Sequence, residues 1–246
     1  MNRDFTWASY RAILKSFQGL GYQVRSYEDA DPAAKHLILR HDLDMSLQAA
    51  EPIAEIEHEL GLRAHYFVLI RTEMYNPFSV AARAALDRIR QNGHEIGLHL
   101  DASLYENDTA MLEAAAAWEC RALEDATGAP VRFISFHRPA ESLLGYDGRL
   151  AGRRHAYEPR FFSDMGYCSD SRGAWHHGSP LEHEAVQAKR ALQLLTHAIW
   201  WGRAAADPTD RLVHFLDARA ALLDVELARA CAIHRPKERK ATSHES

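Results

Sequence analysis

The chain has 246 residues, enough for one large domain with a full hydrophobic core. Apolar residues make up 47% and charged residues 26%, and the formal net charge of −5 provides no basic field that would indicate a nucleic-acid partner. No apolar run reaches the roughly 18–20 residues of a membrane span, and no apolar signal-peptide segment follows Met1. The three cysteines are scattered and odd in number, so we expect a reduced, cytoplasmic protein.

Segments with helical and with strand-like patterns alternate along the chain. Helical spacing and helix-end signals predict helices over residues 6–18, 46–60, 78–92, 108–126 and 207–231. Short apolar runs predict strands over residues 37–41, 64–70, 94–100, 131–137 and 191–196. This alternation predicts a parallel sheet covered by helices, and at this length a closed or incomplete (β/α) barrel is favoured over an open sheet. We expect a single domain over residues 1–235 and a disordered polar tail over 236–246.

Polar residues follow four of the predicted strands at the point where each strand ends. These groups are Arg40–Asp44, His99–Asp101, His137–Pro139 and Thr196–His197. Because the carboxyl ends of parallel strands lie at one edge of a sheet, we expect the four groups to converge. Carboxylates together with histidines suit a divalent metal of the zinc type, with a separate acid and base.

The two-residue period of a strand sorts the candidates within each segment. Asp42 and Asp44 can share one side of the first strand, whereas His41 points to the opposite side unless the strand has already turned. In the third strand His99 and His94 lie on opposite faces, so we expect His94 to cap a neighbouring loop. The two carboxylates are therefore the better matched pair in the first segment.

Five segments in order resemble the motifs of the polysaccharide deacetylases of carbohydrate esterase family 4, which have the NodB-homology fold. They are Arg40–Asp44, Gly93–His99, Phe136–Pro139, Ser169–Trp175 and Leu194–Trp201, and they span most of the chain. The resemblance implies an α/β fold with a distorted or incomplete (β/α) barrel of about seven parallel strands. The departures from the motifs indicate a divergent branch, of the kind associated with surface-polysaccharide synthesis.

The resemblance also implies roles for residues at the strand ends. Asp42 would be the catalytic base, with Arg138 orienting it or offsetting its charge. His197 would be the acid that protonates the departing nitrogen, and Asp170 would orient His197 by a hydrogen bond, which raises its pKa. Trp175, Trp200 and Trp201 would offer flat apolar surfaces to a sugar ring, although the Trp200–Trp201 pair is also typical of a core.

The metal implied by the resemblance is one divalent ion, with zinc as the expected element. Asp44 and His99 would be two of its ligands, although Asp44 also suits an N-cap of the helix over 46–60. The second histidine of the family motif falls at Ser103, so the third protein ligand must come from elsewhere. We expect His137 in that role, with His41 as the second choice.

The implied activity is the metal-dependent removal of an acetyl group from an N-acetylated or O-acetylated sugar or polysaccharide precursor. Two alternatives stay open. One is another metal hydrolase, such as a phosphoesterase, because His41–Asp44 superficially resembles a His-x-His-x-Asp site. The other is a metal-free member of the fold that binds a glycan or a partner, which Ser103 favours.

Overall fold

The structure, a computed structural model, describes residues 4–105, 108–176 and 178–236. Its contacts divide the chain into two compact units, with the division between Ala205 and Ala206. The predicted single domain over residues 1–235 stays a prediction. The predicted tail lies outside the described residues from residue 237 onward.

A single parallel sheet forms the centre of the first unit. Its strands are β1 (Gln23–Val24), β2 (His36–Leu43), β3 (His65–Leu69), β4 (Glu95–Asp101), β5 (Phe133–His137), β6 (Arg154–His155), β7 (Gly166–Ser169) and β8 (Leu192–Thr196). The spatial order is β6-β5-β4-β3-β2-β8-β7, and β1 pairs with β2 outside this path. Across the described residues the edge strands β6 and β7 do not pair, so the barrel stays incomplete. The predicted α/β class and the incomplete barrel of about seven parallel strands are confirmed.

In the part of this unit that the structure describes, six helices precede or connect the strands. They are α1 (Trp7–Gly19), α2 (Glu51–Glu59), α3 (Val80–Gln91), α4 (Thr109–Thr127), α5 (Pro159–Phe162) and α6 (Glu184–Gln187). Side-chain caps start four of them, because Thr6, Ser79, Asp108 and His183 accept hydrogen bonds from backbone N–H groups of the first turn. The predicted helix over 46–60 begins late, at Glu51, because Pro52 is tolerated only in the first turn.

The inner face of the sheet carries both the apolar core and the candidate site. Ile38 of β2 and Phe67 of β3 are fully buried in a cluster with Tyr27 and Phe133. Gly97 of β4 lies directly against this cluster. A Cβ atom at Gly97 would lie 2.5 Å from the Phe67 ring and 2.9 Å from the carbonyl oxygen of Phe133. The sheet can therefore pack the Phe67 ring only because position 97 has no side chain.

Three strands were not among the sequence predictions. β1 and β6 have two residues each, which is too short for a period to be read from the sequence. β7 is the four-residue segment Gly166–Ser169, which combines a glycine and a serine with only two apolar residues. These strands form by pairing with the longer β2, β5 and β8, so tertiary context rather than local pattern creates them.

The second unit contains α7 (Pro208–Ala230), which confirms the helix predicted from residue 207. Asp207 caps it by accepting a hydrogen bond from the backbone N–H of Thr209, and Pro208 occupies the first turn. Among the described residues, no helix combines the length with the apolar composition that crossing a bilayer requires.

We predict that Gly97→Ala lowers the free energy of unfolding by about 1–3 kcal/mol, because the added methyl group overpacks the Phe67 ring and the Phe133 backbone. Urea denaturation followed by circular dichroism measures this change. The matched control is Gly19→Ala at the end of α1, where the new Cβ would meet no described atom within 4 Å beyond the adjacent residues and the backbone of its own helix. There we expect no loss, and a gain of up to about 1 kcal/mol from helix propensity. Equal stabilities for the two variants would contradict the packing argument.

Candidate metal centre and acid–base groups

The carboxyl ends of five strands bring the candidate residues to one edge of the sheet. The residues are Asp42 and Asp44 at the end of β2, His99 in β4, His137 in β5, Asp170 after β7 and His197 after β8. They come from positions up to 155 residues apart, and only the parallel order of the strands joins them.

Asp44, His99 and His137 form a set that could hold a metal ion. One ligand atom from each lies within 4.8 Å of the other two. His99 Nε2 is 3.1 Å and His137 Nδ1 is 3.6 Å from Asp44 Oδ1. This oxygen is buried and has no hydrogen-bond partner in the part of the chain that the structure describes. A buried carboxylate oxygen without a hydrogen-bond donor, with two imidazole nitrogens close to it, fits a divalent ion of the zinc type.

The tautomer of His99 is consistent with a ligand role. His99 pairs in register with Ser135 of β5, and Nδ1 of His99 lies 2.6 Å from the Ser135 hydroxyl oxygen. Ser135 donates in turn to Asp42 Oδ1 at 3.3 Å. The serine oxygen then accepts from the Nδ1–H of His99, which leaves the lone pair on Nε2 facing Asp44.

His137 is the third member of the set that could hold a metal ion. It is the register partner of Asp101, beside His99 in the neighbouring strand. Burial and the nearby His99 lower the pKa of His137, which favours the neutral imidazole that a metal requires. Of the two residues that the sequence analysis considered for the third ligand, the structure brings His137 to the set.

His41, the second choice, lies on the other face of β2. Its Nε2 is 2.8 Å from Glu57 Oε1 of α2, and its Nδ1 is 2.7 Å from the hydroxyl of Thr196 in β8. Both ring nitrogens are thus engaged away from Asp44. Both ring nitrogens of His94 also form hydrogen bonds outside the site. Nδ1 accepts from the backbone N–H of Ala64, and Nε2 contacts the carbonyl oxygen of Ala54, which matches the predicted loop-capping position.

A buried arginine holds Asp42. Arg40 Nε and Nη2 donate to the two carboxylate oxygens of Asp42 at 2.9 and 2.7 Å. The guanidinium also lies over the rings of Phe67 and Tyr157, with distances of 5.7 and 5.1 Å to their centroids. Burial would raise the pKa of Asp42, but the charge and hydrogen bonds of Arg40 outweigh it and hold the pKa well below its usual range. Asp42 Oδ2 lies 3.6 Å from His99 Nε2, so this ionised carboxylate borders the metal set.

The prediction that Arg138 orients Asp42 is corrected by these contacts. Arg138 is 63% exposed and pairs with Asp101. Arg138 has a positive φ of 49°, so the chain has already turned out of β5 when it reaches this residue. Arg40 could have been found from the sequence, because it lies two residues before Asp42 and therefore on the same face of the strand.

His197 and Asp170 form a second hydrogen-bonded pair. His197 Nδ1 lies 2.7 Å from Asp170 Oδ1, and the backbone N–H of His197 also donates to the Asp170 carboxylate. Burial lowers the pKa of His197, but the hydrogen bond and the charge of Asp170 outweigh it and raise the pKa to about 9. His197 Nε2 is 3.8 Å from Asp44 Oδ2, so the ring reaches the edge of the metal set.

The three tryptophans that the sequence analysis assigned to a sugar platform occupy different environments. Trp175 is partly exposed and its ring lies 6.1 Å from that of Trp201. Trp200 is only 7% exposed, so its face is covered by protein and cannot stack on a sugar, which corrects that prediction. Trp201 is also buried, and its indole N–H donates to Asp170 Oδ2 at 2.8 Å. The sequence offers no signal that separates the roles of these two neighbours.

No family model and no curated protein matches this chain. Solved structures do resemble it. A family 4 carbohydrate esterase from Bacillus anthracis is 16% identical, covers 85% of this chain and 86% of its own, and has a TM-score of 0.44. A Streptococcus pyogenes deacetylase in complex with acetate is 12% identical, covers 84% of each chain and has a TM-score of 0.45. A family 4 pseudoenzyme from Bacillus anthracis is 14% identical, covers 80% of this chain and 63% of its own, and has a TM-score of 0.42.

These neighbours come from the family that the sequence motifs resemble, and they include both enzymes and a pseudoenzyme. At such identities the likeness is one of fold, so the chemistry of this chain has to be argued from its own side chains.

We predict that Arg40→Met lowers the free energy of unfolding by about 3–5 kcal/mol, because it leaves the buried Asp42 carboxylate without its partner. The matched control is Arg88→Met, which removes an equally bidentate pair with Glu51 from a position that is 53% exposed. There we expect a loss below about 1 kcal/mol. Chemical denaturation of both variants measures the difference, and similar losses would show that burial of the Arg40 pair is not decisive.

We predict that His137→Ala weakens zinc binding by at least about 100-fold, because loss of even an outer-shell partner costs about 10–100-fold. Isothermal titration calorimetry of the metal-stripped protein measures the affinity. The control is His58→Ala on the exposed side of α2, which should bind zinc like the unaltered protein. Unchanged affinity in His137→Ala would remove His137 from the ligand set.

Proposed function

We propose that this protein is a metal-dependent hydrolase that removes an acetyl group from an N-acetylated or O-acetylated sugar. One observation carries the proposal: the Asp44–His99–His137 set is bordered by an ionised carboxylate, Asp42, and by a carboxylate-paired imidazole, His197. Acyl hydrolysis needs these groups, namely an acceptor for the proton of water and a donor for the leaving atom.

Asp44, His99 and His137 are the residues that would hold the ion, with zinc as the expected element. A divalent ion bound there would polarise the acetyl carbonyl and acidify the attacking water. The unsatisfied Asp44 Oδ1 supports this assignment, because a buried acceptor without a donor costs about 1–3 kcal/mol unless a ligand satisfies it.

Asp42 is the base in this proposal. Arg40 keeps it ionised, so it can accept a proton from water. The bidentate contact and the Ser135 hydroxyl fix the plane of the carboxylate. Strong pairing also makes Asp42 a weak base, and an ion held by Asp44, His99 and His137 would offset this weakness by making the water more acidic.

His197 is the acid. Asp170 holds the Nδ1 side of its ring and raises its pKa, so the ring is protonated near neutral pH and its Nε2–H can be delivered to the departing nitrogen or oxygen. Before the next turnover the imidazole regains a proton from solvent and Asp42 releases to solvent the proton that it accepted. Asp42 belongs to β2 and His197 directly follows β8, and these two strands are neighbours in the sheet.

An acetylated sugar or polysaccharide precursor is the proposed substrate. Partly exposed Trp175 remains the candidate for stacking on a sugar ring. Cys120, Cys168 and Cys231 are all free thiols, which supports the proposed cytoplasmic location.

We predict that Asp42→Asn reduces acetate release by at least about 100-fold, because a neutral amide cannot accept the proton. Acetate is measured enzymatically after incubation of the zinc-loaded protein with N-acetylated and O-acetylated oligosaccharides. Zinc affinity and the circular dichroism spectrum of this variant should match those of the unaltered protein, which separates a chemical defect from misfolding.

Activity of Asp42→Asn near that of the unaltered protein would remove Asp42 as the base. Zinc binding without acetate release from any acetylated sugar would favour a different hydrolase, such as a phosphoesterase. Failure of the unaltered protein to bind zinc at all would favour the metal-free glycan-binding alternative.

A further inference from the structure

Every acceptor position of the Asp170 carboxylate is used. Its Oδ1 accepts from His197 Nδ1 at 2.7 Å and from the His197 backbone N–H at 2.9 Å. Its Oδ2 accepts from the same backbone N–H at 3.1 Å and from the indole N–H of Trp201 at 2.8 Å. Asp170 is fully buried, so no water competes for these contacts. The Trp201 contact is the only one of the described set that does not come from His197 itself.

Trp201 is held firmly by other aromatic side chains. Its ring lies 5.0 Å from the rings of Phe5 and Tyr10, both in edge-to-face geometry, and 6.1 Å from that of Trp175. Trp201 is 4% exposed. An indole fixed in this way directs its N–H along one line, so it can hold the Asp170 carboxylate in one orientation.

We propose that Trp201 is a positioning residue for the acid of this site, acting on His197 through Asp170. This inference rests on the proposed function in naming His197 as the acid. The indole N–H anchors Oδ2 and thereby fixes the carboxylate plane, so that Oδ1 meets His197 Nδ1 in line. With Nδ1 engaged, the proton that His197 can give away is the one on Nε2, on the side of Asp44.

The chain provides a matched control next to this residue. Trp200 is buried to a similar extent, and its indole N–H has no hydrogen-bond partner among the described residues. Trp200→Phe and Trp201→Phe therefore remove the same atoms from adjacent buried positions, and only the second removes a donor from Asp170.

The first test does not depend on activity. In protein labelled at histidine, the ε1 carbon–proton signal of His197 is assigned by its loss in His197→Gln. We expect this signal to shift or broaden in Trp201→Phe, because the ring loses its fixed carboxylate, and to stay in place in Trp200→Phe. The same signal in both variants would overturn the proposal.

The second test compares two substrates, to distinguish a misplaced acid from a loss of structure in the whole site. With an N-acetylated oligosaccharide we expect Trp201→Phe to lower kcat about tenfold, a small part of the full contribution of an acid, and to change KM less than about twofold. With 4-nitrophenyl acetate, whose phenolate leaves without protonation, kcat should fall less than about twofold. Trp200→Phe should retain the kinetics of the unaltered protein with both substrates.

Equal losses of Trp201→Phe with both substrates would overturn the positioning role, because damage to the whole site affects every acetyl compound. If the unaltered protein hydrolyses neither probe, the proposed function fails. The His197 signal then still decides whether Trp201 orders the ring through Asp170.

Discussion

Two opposite charges lie inside the sheet, where an isolated one would cost several kcal/mol, and each is tolerated because it satisfies the other. Arg40 and Asp42 are adjacent on one face of β2 and share two hydrogen bonds. The pair also orients neighbouring side chains. Asp42 accepts a hydrogen bond from the hydroxyl of Ser135, and the Ser135 oxygen accepts one from the Nδ1–H of His99. A single buried ion pair thus determines the plane of the proposed base and the tautomer of a proposed metal ligand. A buried ion pair contributes little net stability compared with apolar side chains of the same size. The main effect of the Arg40–Asp42 pair is therefore to orient the groups of the candidate site.

The opposite face of β2 holds a second polar network with a different task. His41 lies between Glu57 of α2 and the hydroxyl of Thr196 at the end of β8. Glu57 is fully buried and also accepts hydrogen bonds from the hydroxyls of Tyr10 and Tyr66. Because Thr196 directly precedes His197, this network links the strand of the proposed base to the strand of the proposed acid. The spacing between these groups is therefore supported from the outer face of the sheet as well as from the inner one.

The parallel direction of the five longer strands and the edge of the sheet where the candidate residues meet could be predicted, because both follow from periodicity and from the rule that parallel strands end at one edge. The short strands β1, β6 and β7 and the spatial order of the sheet could not. The period of two also correctly separates Asp42 from His41 and His99 from His94. What could not be predicted was the choice between neighbours with the same chemistry. The two arginines are an exception, because Arg40 lies two residues before Asp42 on the same face of β2, whereas Arg138 lies after the turn out of β5 and reaches Asp101. Trp200 and Trp201 lie at the end of a 3₁₀ turn, where strand alternation does not apply, so only coordinates show which indole meets Asp170.

The carboxylates of this site differ in how completely the protein itself satisfies them. Asp42 has Arg40 and Ser135, Asp170 has His197 and Trp201, and Asp101 has Ser103 and Arg138. Within the described residues, Asp44 alone among these four keeps a buried oxygen without a hydrogen bond, although its side chain as a whole is 20% exposed. An unsatisfied buried acceptor is a cost to the folded chain that a bound cation removes. An ion held by the proposed set would therefore couple stability to ion binding at this one oxygen atom, whereas hydrogen bonds from the protein already satisfy the other three carboxylates.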